Sequence, residues 1–174
     1  MLAYLFVALA VAVRFLPHPL SFTPVGAALL YFGARAPRKR MWIPLVMLAG
    51  SDVVLSQLVY SYPLAGDLVI TWLWYAAVIL LGGLLRENQR PLRLAGAALA
   101  TSVSFFLVSN FAVWAVWNMY PKTFEGLLTA FAAAVPFFRN TVASDLLFTA
   151  VFFGLPALAG VSASAKAEDR GAVA

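Results

Sequence analysis

Apolar runs follow one another through this chain with only short polar interruptions, and no soluble layer architecture could cover so much of them. Of 174 residues, 63% are hydrophobic and 11% are charged, against roughly 25% charged in an average soluble domain. Such a chain belongs in a bilayer. The runs are continuous, with little period-two alternation, which suits helices and not a membrane barrel. The reading is therefore an all-α, polytopic membrane helical bundle, a single domain over residues 1–160, with a small, polar and charged tail at 161–174 expected to be disordered.

Segments at 2–16, 25–34, 41–60, 68–85, 94–109 and 137–158 predict six transmembrane helices. A short apolar helix at 124–135, bounded by Pro121 and Pro136, is expected in the last outer loop. For the first segment a cleaved signal peptide competes, since Ala8-Leu9-Ala10 resembles a small-residue cleavage site, but the basic leader such peptides carry is missing. Aromatic residues Trp72, Trp74 and Tyr75 near the start of the fourth segment fit an interfacial belt. Asp67, in the turn before it, is placed to cap that helix.

The net charge of +5 does not imply nucleic acid, because the basic residues sit in short connectors. Arg35, Arg38, Lys39 and Arg40 form one group, Arg86, Arg90 and Arg93 another, and Lys166 and Arg170 lie in the tail. Positive residues collect on the cytoplasmic side of a membrane protein. Both termini are then expected on the cytoplasmic side of a multi-pass protein, and the connectors at 18–24, 61–67 and 110–136 are expected to face outward.

Polar residues inside apolar spans cost several kcal/mol unless paired or solvated, so they mark sites or structural pairs. At a rise of about 1.5 Å per residue, Arg14 lies about 18 to 20 Å up the first helix and Asp52 about 17 Å up the third. Asp145 lies about 10 to 12 Å below the outer end of the sixth, with Asn110 near the outer end of the fifth. A shared depth on four helices is what an outward-facing pocket requires. The candidate substrate-binding residues are Arg14, His18, Asp52, Asn110, Trp114, Trp117, Arg139, Asn140 and Asp145. Two alternatives stay open: Arg14 neutralises Asp52 or Asp145 as a purely structural pair, and Trp114 and Trp117 serve as interfacial anchors and not as a stacking platform. Ser51-Asp52 and Ser144-Asp145 share a pattern of Ser-Asp, three apolar residues and a hydroxyl.

Several chemistries are excluded. The chain has no cysteine and one histidine, which removes disulfides, thiolate metal sites and multi-imidazole zinc or haem sites. It carries no Gly-rich phosphate loop and no Ser-His-Asp set with a plausible partner. The expectation is a protein that is not an enzyme and holds neither cofactor nor metal.

The segments HPLSFTPVGA, GSDVVL, FFLVSNFAVW, YPKTFEGL and VPFFRNTVASDLLFTAVFFG resemble a family of small, functionally uncharacterised bacterial membrane proteins. That family is similar to the substrate-binding S components of energy-coupling factor (ECF) vitamin transporters. The resemblance implies a six-helix protein that holds a vitamin or precursor on its outer side, with a separate transmembrane coupling subunit and ATPases as partners. It also implies that Ala8 and Ala12, a small-residue pair on the first helix, meet the coupling subunit. Two functions are therefore carried forward: a membrane-embedded substrate-binding subunit for micronutrient uptake, and a non-catalytic accessory or scaffold subunit of a larger bacterial membrane complex.

Overall fold

The computed structural model of this chain describes the backbone of residues 1–172 and the side chains of residues 1–159. Among these, every regular element is helical: α1 (Leu2–Val13), α2 (Val25–Arg35), α3 (Trp42–Val54), α4 (Gly66–Gly83), α5 (Pro91–Val116) and α6 (Phe124–Ala172). A 3-10 turn, Arg38–Arg40, leads into α3, and a π-helical turn, Leu55–Val59, extends it. The tail expected at 161–174 lies outside the residues described in full. Four stretches, Arg38–Val59, Gly66–Gly83, Pro91–Val116 and Phe124–Ala159, are long and apolar enough to cross a bilayer, the mark of a multi-pass membrane protein.

The short helix expected at 124–135 is not a separate element. It runs through Pro136 into the last segment as one helix, with Pro156 also inside it. A proline ring removes one backbone hydrogen bond but leaves the turns on either side intact, and in an apolar medium every remaining bond in the ladder is worth keeping.

The bundle is built around α2. All ten residues from Val25 to Ala34 are buried, the signature of a helix apolar on every side and enclosed by others. It packs against α1, α4, α5 and α6. Phe6 of α1 stacks on Phe152 of α6 at 4.0 Å, and Tyr31 meets both Phe6 and Phe153 edge-on. Against α4 the approach is backbone to backbone. A Cβ on Gly33 would stand 2.0 Å from the Ile79 carbonyl oxygen, and one on Gly82 would stand 2.3 Å from that of Leu30. Small residues permit such contact, which dispersion then stabilises in the absence of a hydrophobic drive between helices in lipid.

Both ends of α2 meet complementary charge. Arg86 donates from Nε to the Gly33 carbonyl at 3.0 Å and from Nη2 to the Ala36 carbonyl at 2.5 Å. It thereby satisfies carbonyls that the helix C-terminus leaves without partners. At the other end Asp145 lies against Gly26, where an added Cβ would meet Oδ1 at 2.3 Å. Glycine at that position lets the carboxylate approach the positive end of the helix.

The length of α2 positions the site. Its 11 residues span about 16 Å, whereas a bilayer core is about 30 Å thick. Only the half toward the basic connectors is filled by it. The glycine contact predicts that Gly82→Ala lowers thermal stability in detergent by about 1–3 kcal/mol through forced separation of α2 and α4. Gly83→Ala, whose Cβ would meet nothing within 4 Å, should be neutral or stabilising by up to about 1 kcal/mol.

Candidate functional site

Beyond the N-terminus of α2, on the side away from the basic connectors, lies a cavity of about 640 Å³. That falls within the roughly 300–1,000 Å³ range of small-molecule sites. Val25 and Gly26 belong to its wall, together with the connector from Phe15 to Thr23 and the π-turn residues Leu55, Ser56 and Val59. Trp74, Tyr75 and Phe105 form an aromatic side, and Thr141, Ser144 and Asp145 of α6 complete it. The π-turn is marked by the Tyr60 N–H bonding to the Leu55 carbonyl at 2.9 Å. Wide turns of this kind are frequent at functional sites because they re-aim side chains.

Arg14, at the C-cap of α1, is paired with Asp52 of α3. This is the one ion pair among the described residues. Arg14 also donates from Nη1 to Ser51 Oγ at 2.6 Å. Asp52 receives two further donors from α4, the Trp72 indole at 2.9 Å and the Tyr75 hydroxyl at 3.3 Å. Charge-assisted bonds from several sides are what a 5% exposed carboxylate needs to stay buried. Trp72 and Tyr75 stand three residues apart and share a face of α4, and the fully paired Asp52 is what they serve. Tyr75 and Trp74 are buried, so the interfacial belt expected for them is corrected. Trp74 instead donates to Ser104 Oγ at 3.0 Å, binding α4 to α5.

Asp145 is set differently. Its Oδ2 accepts the Ser102 hydroxyl at 2.6 Å, and Oδ1 lies over Gly26. Among the described residues no cation is paired with it. The two Ser-Asp motifs converge on this one cavity through α3 and α6, and each serine donates to the carbonyl three residues earlier, Ser51 to Leu48 at 2.7 Å and Ser144 to Thr141 at 3.0 Å.

Of the nine candidate residues, Arg14, His18, Asp52 and Asp145 line the cavity. The other five do not. His18 Nδ1 lies 2.7 Å from the Leu16 carbonyl, which shapes the connector. Asn140 donates to the Leu20 carbonyl at 2.9 Å, tying that connector to α6 beside Ser21, whose φ of 60° is left-handed. Asn110 is satisfied within its own helix by the Phe106 carbonyl at 2.7 Å. Trp114 donates to the Pro121 carbonyl at 2.9 Å, and Lys122 bonds the carbonyls of Trp114 and Trp117 while lying 5.7 Å from the Trp114 ring. These residues close the turn between α5 and α6. Arg139 is exposed, as are Ala8 and Ala12 on α1. Asp67 falls inside the first turn of α4, whose cap residue is Ala65, so it does not serve as the expected cap.

Ser102, Trp72 and Tyr75 are the polar partners that sequence reasoning missed as site residues. The i, i+3 spacing of Trp72 and Tyr75 is a legible signal for a shared face. Ser102 carries none, being one of several hydroxyls on α5.

The model of a family of unknown function, DUF6580, matches residues 1–167. The chain belongs to that family. Neither the curated proteins nor the solved structures contain a match to it.

Removing one member of the Arg14–Asp52 pair strands a largely buried charge. Asp52→Asn is expected to cost roughly 3 kcal/mol, the lower end for a broken buried pair because Arg14 keeps some solvent contact. The double variant Arg14→Met with Asp52→Leu should cost clearly less than the sum of its singles. Unfolding in detergent of the unmodified chain, Arg14→Met, Asp52→Leu and the double variant measures this coupling.

Proposed function

We propose that this chain is a membrane-embedded binding subunit that captures a small micronutrient, a vitamin or precursor, from the outer side of a bacterial inner membrane. The observation that carries the reading is the cavity beyond α2: of ligand size, walled by aromatic rings on one side, and holding charged groups from three helices. Purely structural ion pairs need no such space. The basic connectors lie at the opposite end of the bundle, and positive residues on the cytoplasmic side would turn the cavity outward.

Passage across the membrane would need an energy source, and the sequence holds no phosphate-binding loop. The resemblance to S components supplies a partner, a transmembrane coupling subunit with its ATPases. Exposed Ala8 and Ala12 offer α1 a smooth face for close helix packing.

One observation favours the accessory-subunit reading: Asp52 is satisfied by Arg14, Trp72 and Tyr75 without help from any ligand. The two readings separate on what travels with the protein. Native purification followed by mass spectrometry should recover a metabolite of a few hundred daltons from the unmodified chain. Ser56→Trp, which fills the cavity with an indole, should lose it at unchanged expression. Recovery of neighbouring subunits and no metabolite would favour the accessory role.

A further inference from the structure

The ionisable groups that line the cavity are unequally partnered among the described residues. Arg14 is positive, Asp52 and Asp145 are carboxylates, and Arg14 is committed to Asp52. Asp145 is 3% exposed. Its stabilisers are one hydroxyl, from Ser102, which also lies 3.1 Å from the Ala98 carbonyl, and the N-terminal end of α2 beneath Gly26. A hydroxyl and a helix dipole are weak partners for a buried carboxylate. The same cavity is lined by the rings of Trp74, Tyr75 and Phe105.

We infer that the ligand carries a cationic nitrogen, a protonated amine, and that this group docks on Asp145 with its carbon framework against the aromatic side. The inference rests on the binding-subunit reading and narrows it to organic ammonium compounds. Three features converge on it. An ammonium gives Asp145 the cationic partner that Arg14 gives Asp52. Its N–H groups fit the carboxylate of Asp145, whose Oδ1 takes no donor from the protein's described residues. Aromatic faces attract cations that have shed part of their hydration. Among the described residues an anionic ligand finds no free positive group on the lining, because Asp145 already covers the end of α2 and Asp52 holds Arg14. An inorganic cation is poorly served, since the described residues hold no cluster of three or more His, Cys, Asp or Glu side chains suited to a metal.

The test uses the full chain in detergent and three water-soluble probes of one shape: 2-phenylethylammonium, its neutral isostere 2-phenylethanol, and the anion phenylacetate. Calorimetric titration should show the ammonium binding at least tenfold more tightly than the alcohol, and phenylacetate more weakly than either. Asp145→Asn should bring the ammonium and the alcohol to parity. If that variant does not fold, the ammonium-to-alcohol ratio on the unmodified chain decides alone. Equal binding of ammonium and alcohol, or tighter binding of phenylacetate, overturns the cation preference while leaving the pocket a binding site. Failure of all three probes to bind removes both the preference and the binding-subunit reading.

Discussion

Everything in this bundle depends on the enclosure of one short helix. The residues from Val25 to Ala34 expose almost nothing, and α1, α4, α5 and α6 are arranged to cover them. In lipid there is little hydrophobic gain from bringing helices together, so the enclosure has to come from contact. Gly33 and Gly82 allow α2 and α4 to touch at the backbone, and the Phe6–Phe152 stack seals the opposite side. Arg86 at one end and Asp145 at the other complement the helix dipole, which places a charge at each terminus of an otherwise apolar rod.

The cavity is a consequence of that arrangement. A central helix of about 16 Å fills half of a core about 30 Å thick, and α1, of similar length, ends at the same level. The connector between them crosses the space above and is held there by Asn140 and by the internal bond of His18. The π-turn after α3 turns Leu55, Ser56 and Val59 toward the same space. Two acids result with unlike settings: Asp52 amid three donor groups including a guanidinium, and Asp145 with a single hydroxyl among the described residues. The difference between them gives the cavity its polarity, and with it a chemical preference that neither acid alone would confer.

How much of this was legible beforehand varies by residue. Arg14, Asp52 and Asp145 stood out because a charge in an apolar run needs a reason, and they meet at one cavity. Asn110 and Asn140 stood out equally, yet one bonds the carbonyl four residues back in its own helix and the other a connector, since an amide can be satisfied by whichever backbone carbonyl lies within reach. Trp114 and Trp117 were drawn away by Lys122 and the Pro121 carbonyl, contacts set by a turn whose geometry the residue order does not reveal. Pro136 suggested a break that the helix absorbed. Ser102 gave no signal, because one hydroxyl among several on a helix differs from the others only in what it faces.

Composition and the spacing of apolar runs determined by themselves that this is a helical membrane protein with its basic connectors on one side. They do so because a bilayer leaves a backbone few ways to satisfy its hydrogen bonds, and the length of each run is measured against a fixed thickness. Which acid keeps the arginine, and which stands without a cation among the described residues, was decided only by the tertiary structure. Arg14 has one guanidinium and two carboxylates on the cavity wall, and the choice between them follows from where α3, α4 and α6 stand around α2, a matter of packing that no local pattern encodes.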